Sequence, residues 1–364
     1  MRWHHDQLRV PWLGHPGEGP TSRVREEKQV GREMGQRARA LKSRSHDEEG
    51  GQQRDENEKV RSRVHLLARA VQPATAKAYL REVDLMILFA HENNCPFGSW
   101  PEKDETMADY LGKLFVDGAG PERGSYLLGG MNLIQPSSSY KLPISSRCLL
   151  AWKRSHVGGE GGPMAEAVFG LMGQKMEEMG LLEARDVMWT CLDGYLRESE
   201  AIALCLDDIT DYGGKMSLRI GNSERQERAK TGVNQSVTID YEGTKAMLRD
   251  RSRRRSGRLF SINAAQYRTA WLKAAAAIQK EYPELSIGPP HSARHSGPSK
   301  DLYEGYRNLD QVQTRGRWSS IKSVLRYAKV GHWLDALSKV PTKLGEKADQ
   351  LLSWRGSREK VATH

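Results

Sequence analysis

The chain has 364 residues, of which 28% are charged and 38% hydrophobic, and its formal net charge is +10 at pH 7. The length suffices for two domains, and no run of about 18 apolar residues is available to span a membrane. The first 20 residues lack the apolar segment of a secretory signal, and the four scattered cysteines suit reduced thiols better than disulfides or a zinc site. We therefore expect an intracellular protein with a polyanionic partner.

Residues 1–60 combine few apolar residues with dense charge of both signs. Such a segment cannot bury enough surface to offset the entropy of ordering it, so the sequence predicts disorder here. Two roles remain open for it, a spacer and a basic arm that contacts DNA.

Residues 61–155 carry helical spacing and predict a small all-α domain of about four helices. The first helix begins near Pro73 and has four apolar residues on one face: Tyr79, Val83, Met86 and Ala90. The second repeats the spacing and ends near Gly118, with these apolar residues: Met107, Leu111, Leu114 and Phe115. Shorter apolar stretches follow at residues 126–134 and 145–154.

Residues 156–163 are rich in glycine and end in a proline, which predicts a linker. A phosphate-binding loop is the alternative. That alternative requires a Lys-Ser or Lys-Thr pair directly after the glycines, and none follows.

Residues 164–337 predict a mixed α+β domain that is mostly helical, with a small antiparallel sheet. Residues 216–220 and 236–239 alternate like strands and flank a polar loop, which predicts a hairpin. Helical spacing occupies the other segments of this domain: residues 164–179, 184–195, 198–206, 264–280, 309–314 and 321–328.

Four separated places in this domain carry groups suited to a phosphodiester. They are residues 195–200 with Arg197, residues 228–232 with Lys230, residues 290–295 with His291 and Arg294, and residues 316–327 with Trp318 and Tyr327. Each is a weak signal alone, because an arginine that begins a helix is usually a surface charge and a tyrosine on an amphipathic helix is usually half-buried. Their order and spacing together carry the weight.

In that order the residues resemble the tyrosine recombinase (phage integrase) family, which carries Arg, Lys, His-x-x-Arg, His or Trp, and then Tyr. Arg197 precedes His291 by 94 positions. Arg294 precedes Trp318 by 24 positions, and Tyr327 follows Trp318 by 9. These intervals are close to those of the family.

The surroundings of these residues agree with the resemblance. Residues 195–204 are similar to the first-arginine box of the family, and residues 61–155 resemble its helical core-binding domain, so that the likeness covers about residues 60–335. The resemblance implies a DNA-clamping helical domain followed by a catalytic domain. It also implies a reaction that needs no metal and no ATP, because the bond energy is kept in a phosphotyrosine.

The chemistry gives each residue a role in breaking a DNA strand. Tyr327 supplies a nucleophile that can form a 3′-phosphotyrosyl intermediate, and Arg197 and Arg294 can clamp the phosphate oxygens that gain negative charge. Lys230 is the candidate acid for the departing 5′ oxygen, and His291 the candidate acid–base partner near the nucleophile. The sixth group, the indole N–H of Trp318, can donate one hydrogen bond to the phosphate.

Three features compete with these assignments. Gly297 and Pro298 follow Arg294 closely, so we expect the proline to kink or shorten that helix. His291 and His295 are spaced as a metal-binding pair, but no third ligand is within reach in the sequence, so we predict no metal site. Arg225 and Arg228 share the loop of Lys230, which makes Lys230 the least secure of the six assignments.

The densest positive stretch lies at residues 249–258. It is either a solvated loop or helix end, a set of phosphate contacts or a nuclear import signal, which would place the protein in the nucleus if it is eukaryotic. The candidate DNA-binding residues are these five: Lys77, Arg81, Arg253, Arg254 and Arg255.

The function that these features favour is a site-specific recombinase or integrase of a mobile element. Its partner would be double-stranded DNA, on which it would form a synaptic tetramer. Residues 338–364 form a tail with helical spacing, which either packs into a neighbouring protomer, as is frequent in the family, or folds back on its own domain. Two alternatives stay open: an enzyme like the type IB topoisomerases, and a non-catalytic DNA-binding protein derived from a mobile element.

Overall fold

The structure is a computed structural model that describes the following residues: 33, 70–136, 141–156, 161–227, 229–230, 232–254 and 257–359. The predictions for residues 1–60 other than 33, for residues 61–69, for residues 157–160 of the glycine-rich linker, for Arg255, for the side chain of Arg254 and for residues 360–364 lie outside them. No helix in these ranges is long and apolar enough to cross a membrane.

The chain divides into two compact units, Met1–Gly158 and Gly159–His364. The described part of the first unit consists of four helices, as the sequence predicts: α1 (Pro73–Glu92), α2 (Trp100–Val116), α3 (Pro121–Ile134) and α4 (Pro143–Ser155). Each begins with a proline in its first turn, where the missing N–H is not needed. The first unit is thus a small helical bundle.

The core of the first unit is built from one face of each helix. Val83, Met107 and Leu111 are buried, in agreement with the helical spacing. Phe115 differs from the expectation, because 53% of its surface is exposed. It lies about 100° around the helix from Leu114, which is buried and takes the core position instead.

The second unit contains ten helices and one three-stranded sheet in its described residues. The helices are α5 (Glu166–Glu178), α6 (Leu182–Gly194), α7 (Glu198–Ile202), α8 (Glu242–Arg254), α9 (Ala264–Glu281), α10 (Ser292–Tyr303), α11 (Leu309–Gly316), α12 (Ile321–Tyr327), α13 (Val330–Ser338) and α14 (Thr342–Leu352). The strands are β1 (Ile209–Tyr212), β2 (Lys215–Ile220) and β3 (Gln235–Ile239).

The sheet is antiparallel in the order β1–β2–β3. Ile220 pairs with Gln235 and Met216 with Ile239, which confirms the predicted hairpin. Strand β1 and helix α8 were not predicted from the sequence. The sheet carries the loop of Lys230 at the β2–β3 end.

Helix α10 continues past Pro298 to Tyr303, so the expected shortening of this helix is wrong. The glycine that precedes the proline, Gly297, is required by close packing. A β-carbon at Gly297 would lie 2.5 Å from the backbone oxygen of Leu192 and 2.7 Å from the ring of Tyr195. The absence of a side chain therefore lets α10 approach α6 closely, and this contact positions the candidate site.

The C-terminal segment folds back on its own unit. Leu344 of α14 is completely buried, and α14 packs against α5. After α14, the backbone of Ser357 accepts a hydrogen bond from Glu242, and Glu359 donates one to Asp240, both at 3.1 Å. In this single chain the tail thus packs on its own unit, and packing into a neighbouring protomer stays a prediction.

Candidate active site

Arg197 lies at a sharp turn between α6 and α7. Tyr195 follows α6 in the left-handed conformation, at φ 51°, and reverses the chain so that Arg197 directly precedes the first turn of α7. The backbone N–H of Arg197 donates to Oε2 of Glu200 at 2.9 Å, and its Nη1 donates to Oε1 at 2.6 Å. Glu200 therefore fixes both the backbone and the side chain of this arginine.

Arg294 is completely buried in the first turn of α10. Its Nη1 donates to the carbonyl of Tyr195, and its Nη2 donates to the carbonyl of Gly316 at 3.0 Å. The guanidinium carbon lies 5.0 Å from the ring centre of Trp318 and 5.3 Å from that of Tyr327. Two carbonyls thus hold the guanidinium against the tyrosine, while its buried Nε has no hydrogen-bond partner among the described residues.

Tyr327 is the last residue of α12 and is partly exposed. Its ring stacks on Trp318, with ring centres 5.1 Å apart and an angle of 23° between the planes. The ring of His295 lies 4.8 Å away and that of His291 5.6 Å away. The tyrosine therefore lies among an arginine, an indole and two imidazoles. Its backbone carbonyl lies 3.2 Å from the hydroxyl of Ser299, which also reaches the carbonyl of His295 at 2.7 Å.

Trp318 is buried, with 7% of its surface exposed. It lies between the rings of Tyr195 and Tyr327, at centre distances of 6.4 Å and 5.1 Å. Its indole N–H has no hydrogen-bond partner in the part of the chain that the structure describes. A buried donor without an acceptor destabilises the protein, and a ligand that accepts its hydrogen bond removes this cost. The indole N–H therefore fits the role of a phosphate contact.

The two histidines are neutral at pH 7 in this arrangement. Burial, followed by the charges of Arg294 and Arg197, lowers the pKa of His291. Burial and the neighbouring His291 lower the pKa of His295 to about 4. Because a neutral imidazole can accept a proton, His291 is suited to act as a base toward the phenol of Tyr327.

No protein-family model matches the sequence, and neither does any curated protein sequence. The fold, in contrast, has clear counterparts. XerH site-specific recombinase, in a post-cleavage complex with palindromic difH substrate, matches with a TM-score of 0.50 and 15% identity, over 89% of this chain and 95% of XerH. The Tn1549 transposon integrase, in complex with transposon right end DNA, matches with a TM-score of 0.52 and 13% identity, over 85% and 99%.

The chain has the tyrosine recombinase fold. At these identities the likeness concerns the fold alone, and it confirms the fold class that the sequence predicts. The second unit, with its small antiparallel sheet among many helices, carries all six candidate catalytic residues.

Lys230 is exposed in the β2–β3 loop of this recombinase fold. Burial and the charges of Arg294, Arg197 and Glu200 act more strongly on the pKa of His291 than the charge of Lys230 does. Arg225 from the same loop points elsewhere, since it forms ion pairs with Asp207 at 2.5 Å and with Asp208. Arg228 lies outside the described residues. Of the two described cations, Lys230 is therefore the one suited to meet a substrate.

Two residues of the site, Glu200 and Arg317, were not assigned a role from the sequence. Glu200 accepts from Arg197 and, through Oε2, from Nη2 of Arg317 at 2.6 Å; its Oε2 also lies 3.6 Å from Nη1 of Arg294. Burial alone would raise the pKa of Glu200, but Arg317, Arg294 and Arg197 more than offset it, and the pKa is lowered. Glu200 lies in residues 195–200 and Arg317 in residues 316–327, yet only the fold brings them into contact across 117 positions.

The described residues contain one group of three side chains with metal-ligand spacing, Cys205, Asp207 and Asp208. Asp208 already accepts hydrogen bonds from Arg219 and Arg225. The two aspartates of this group thus belong to an ion-pair network with Arg219 of β2 and Arg225 of the β2–β3 loop.

The candidate DNA-binding residues lie on the surface where they are described. Lys77 and Arg81 are exposed one turn apart on α1, and Arg253 is exposed near the end of α8. Two other arginines of the same basic stretch have internal partners: Arg249 pairs with Asp211, and Arg251 with Asp186. The basic stretch is thus a helix end with part of its charge neutralised. A contact of these residues with DNA remains a prediction.

Proposed function

We propose that this protein cleaves and rejoins double-stranded DNA through a covalent bond between Tyr327 and a 3′ phosphate, as a site-specific recombinase or integrase. One observation carries the proposal: the partly exposed phenol of Tyr327 lies against a buried arginine and an indole, Arg294 and Trp318, which both have buried N–H groups without partners in the described residues. The fold likeness to XerH and to the Tn1549 integrase supports it.

In the proposed cleavage step, one proton leaves the attacking oxygen and another proton reaches the departing oxygen. The Tyr327 oxygen attacks phosphorus and its proton passes to His291, which is neutral because its pKa is lowered. The bond between phosphorus and the 5′ oxygen breaks, and Lys230 gives that oxygen a proton. Rejoining is the reverse, with a 5′ hydroxyl as the nucleophile. Atoms and charges balance without an external energy source.

Negative charge grows on the non-bridging oxygens of the phosphate during this step. Arg197 and Arg294 are held by Glu200 and by backbone carbonyls before DNA arrives, so little reorganisation is needed when the charge develops. Trp318 adds a neutral N–H donor. Such prearranged donors are usually the largest single contribution to lowering a barrier of this kind.

Exchange of strands requires two cleaved duplexes, and hence several copies of the chain. We infer an assembly of four copies on two DNA sites, formed by an intracellular protein that belongs to a mobile element. The likeness to a transposon integrase supports this setting. The exposed Lys77, Arg81 and Arg253 are suited to contact phosphates along the duplex, which predicts DNA binding that weakens steeply with salt.

The decisive experiment is a search for covalent adducts on a pool of duplexes that carry a nick. Cleavage near the nick releases a short strand, so the reverse reaction is lost and the adduct accumulates. We expect denaturant-resistant protein–DNA adducts with the wild-type protein and none with Tyr327→Phe. The control is Tyr212→Phe, because Tyr212 is 85% exposed on β1 of the same unit and should not matter.

Each outcome of this experiment assigns a different function. Adducts on one recovered sequence support a site-specific recombinase. Adducts without sequence preference, together with relaxation of supercoiled plasmid, would assign the same chemistry to an enzyme like the type IB topoisomerases. Salt-sensitive DNA binding without any adduct would refute the enzymatic function and leave a DNA-binding protein.

A further inference from the structure

Arg317, which directly precedes Trp318, is a buried arginine in an unusual conformation. It ends α11 at φ 57° and ψ 40°, in the left-handed region that residues other than glycine rarely adopt. Only 4% of its side chain is exposed. The conformation turns the guanidinium inward, toward Glu200, rather than out into solvent.

Most of the hydrogen-bonding capacity of Arg317 is unused. Its Nη2 donates to Oε2 of Glu200 at 2.6 Å. Its Nε and Nη1 are buried and have no hydrogen-bond partner in the described ranges of the chain. Arg315, in the last turn of α11, shares the unpartnered Nε but differs at its terminal nitrogens, since its Nη1 donates to Thr238 at 3.0 Å and its Nη2 to the carbonyl of Asp193.

The unused donors of Arg317 belong to a larger set. Nε of Arg294 and the indole N–H of Trp318 are also buried and unpartnered among the described residues. Glu200 contacts three arginines, Arg197, Arg294 and Arg317, so that one negative charge faces three positive ones. Two positive charges stay uncompensated in a buried place, and donors for several hydrogen bonds surround them.

This imbalance acts on the arginines themselves. Burial, with the charge of Arg197 as a further cause, lowers the pKa of Arg317 although Glu200 opposes the shift. Burial and Arg197 do the same to the pKa of Arg294. A doubly charged anion would reverse both effects and satisfy the donors. The pentacoordinate transition state of a phosphodiester is such an anion, because it carries one more negative charge than the ground state.

We propose that Arg317 is a third phosphate-binding arginine of the site, which contacts a non-bridging oxygen of the phosphate that Tyr327 attacks. This proposal rests on the proposed function, and it adds a residue whose only other described role would be an ion pair with Glu200. It also gives the site a positive charge beside Trp318, which is neutral at every pH. The two readings, phosphate contact and structural ion pair, predict different results.

The first test is binding of inorganic phosphate, which needs no cleavage and no knowledge of the target site. The variants are Arg317→Met and, as the matched control, Arg315→Met, since Arg315 is equally buried but uses both terminal nitrogens internally. At constant ionic strength, phosphate should raise the Tm of the wild type and of Arg315→Met, whatever their starting Tm. The rise should be lost in Arg317→Met. A rise of equal size in Arg317→Met would overturn the proposal.

The second test uses the nicked duplex with a neutral methylphosphonate at the cleaved position. Loss of one oxyanion donor typically costs about 100- to 1000-fold in rate, so Arg317→Met should lose roughly that factor on ordinary DNA. The loss should shrink to less than about tenfold on methylphosphonate DNA, where the charge to be neutralised is gone, and Arg317→Lys should retain part of the rate. An equal loss on both substrates would make Arg317 a structural residue.

The two tests separate the failure of this inference from the failure of the proposed function. A wild-type protein that forms no adduct refutes the cleavage reaction. Phosphate binding that depends on Arg317 but not on Arg315 would still establish Arg317 as an anion-binding residue in that case. Adducts that form normally in Arg317→Met would refute the inference and leave the reaction in place.

Discussion

Gly297 and Tyr195 are in such close contact that a β-carbon on the glycine would lie 2.7 Å from the tyrosine ring. This contact joins α10 to the turn after α6. The same turn presents the carbonyl of Tyr195 to Nη1 of Arg294, and two residues later it presents Arg197. The approach of two helices at one glycine therefore sets the distance between the two candidate phosphate-clamping arginines.

We predict that Gly297→Ala destabilises the second unit and abolishes adduct formation. The new β-carbon would meet the backbone oxygen of Leu192 at 2.5 Å, and a backbone atom cannot move aside as a flexible side chain can. Overpacking of this kind costs about 1–3 kcal/mol in the free energy of unfolding. Urea unfolding followed by far-ultraviolet circular dichroism measures the loss, and the nicked-duplex assay measures cleavage.

The matched control for this substitution is Gly345→Ala. Gly345 is exposed on α14, and a β-carbon there would meet nothing within 4 Å. Since alanine favours a helix over glycine by up to about 1 kcal/mol, this variant should be as stable as the wild type or more so. Equal stability of Gly297→Ala and Gly345→Ala would show that α6 and α10 can separate without cost.

His295 gives the DNA-free protein a pH-dependent stability. Its pKa is lowered to about 4, below the value near 6.5 of an exposed imidazole, so the unfolded chain binds more protons between these two values. Stability therefore falls as pH decreases from about 6.5 to 4. The contribution of this residue is about 2 kcal/mol at pH 5 relative to pH 7.5. Urea unfolding at both pH values measures it.

A histidine substitution isolates this contribution from those of other groups. In His295→Gln, the difference in unfolding free energy between pH 7.5 and pH 5 should be smaller than in the wild type by about that amount. His332→Gln is the control, since His332 is exposed on α13. If His295→Gln keeps the full pH dependence of the wild type, His295 is not the group that titrates in this range.

Helices with an apolar face were predictable from the sequence because their periodicity is local. Strand β1 had no such signal: Ile209 is half-buried and the other three residues are exposed, so no alternation exists to detect. Helix α8 was missed for a related reason. Its sequence is dominated by charge, and partners from elsewhere in the fold hold it in place, such as Asp186 with Arg251.

The six candidate catalytic residues could be found because the family they resemble fixes their types, order and intervals. Glu200 and Arg317 could not be assigned in this way. Their roles depend on which side chains face each other, and a left-handed backbone at Arg317 decides that. In the same way, Pro298 predicts a kinked or shortened helix, whereas in the fold the preceding Gly297 is a point of close packing between α10 and α6.

We predict that Glu200→Gln destabilises the DNA-free protein and slows cleavage. Glu200 is buried and supplies the negative charge that faces Arg197, Arg294 and Arg317. Removal of one partner from a buried ion pair costs about 3–5 kcal/mol, because the remaining charges are left uncompensated. Urea unfolding measures the first effect. The rate of adduct formation measures the second, since Arg197 loses the group that orients it.

Glu198→Gln is the matched control for the loss of this carboxylate. Glu198 belongs to the same short helix, but its partner Arg268 is 65% exposed and lies 3.5 Å away. Exposed ion pairs contribute about 1 kcal/mol or less, so this variant should unfold nearly as the wild type does. Similar losses in both variants would mean that the three arginines do not depend on Glu200.

The C-terminal segment should stabilise the second unit through Arg358, close to the end of the chain. Arg358 forms an ion pair with the buried Asp301, which also accepts the hydroxyl hydrogen of Tyr195. Replacing Arg358 by methionine leaves this carboxylate with one fewer cation, and we expect a loss of about 3 kcal/mol in urea unfolding. Arg253→Met is the control, because Arg253 is exposed on α8, and it should have almost no effect on urea unfolding.

Because Asp301 holds the ring of Tyr195, whose carbonyl accepts from Arg294, the Arg358 variant should also form adducts more slowly. A loss below about 1 kcal/mol would instead mean that the segment is only loosely attached to its own unit, which would favour its packing on a neighbouring copy.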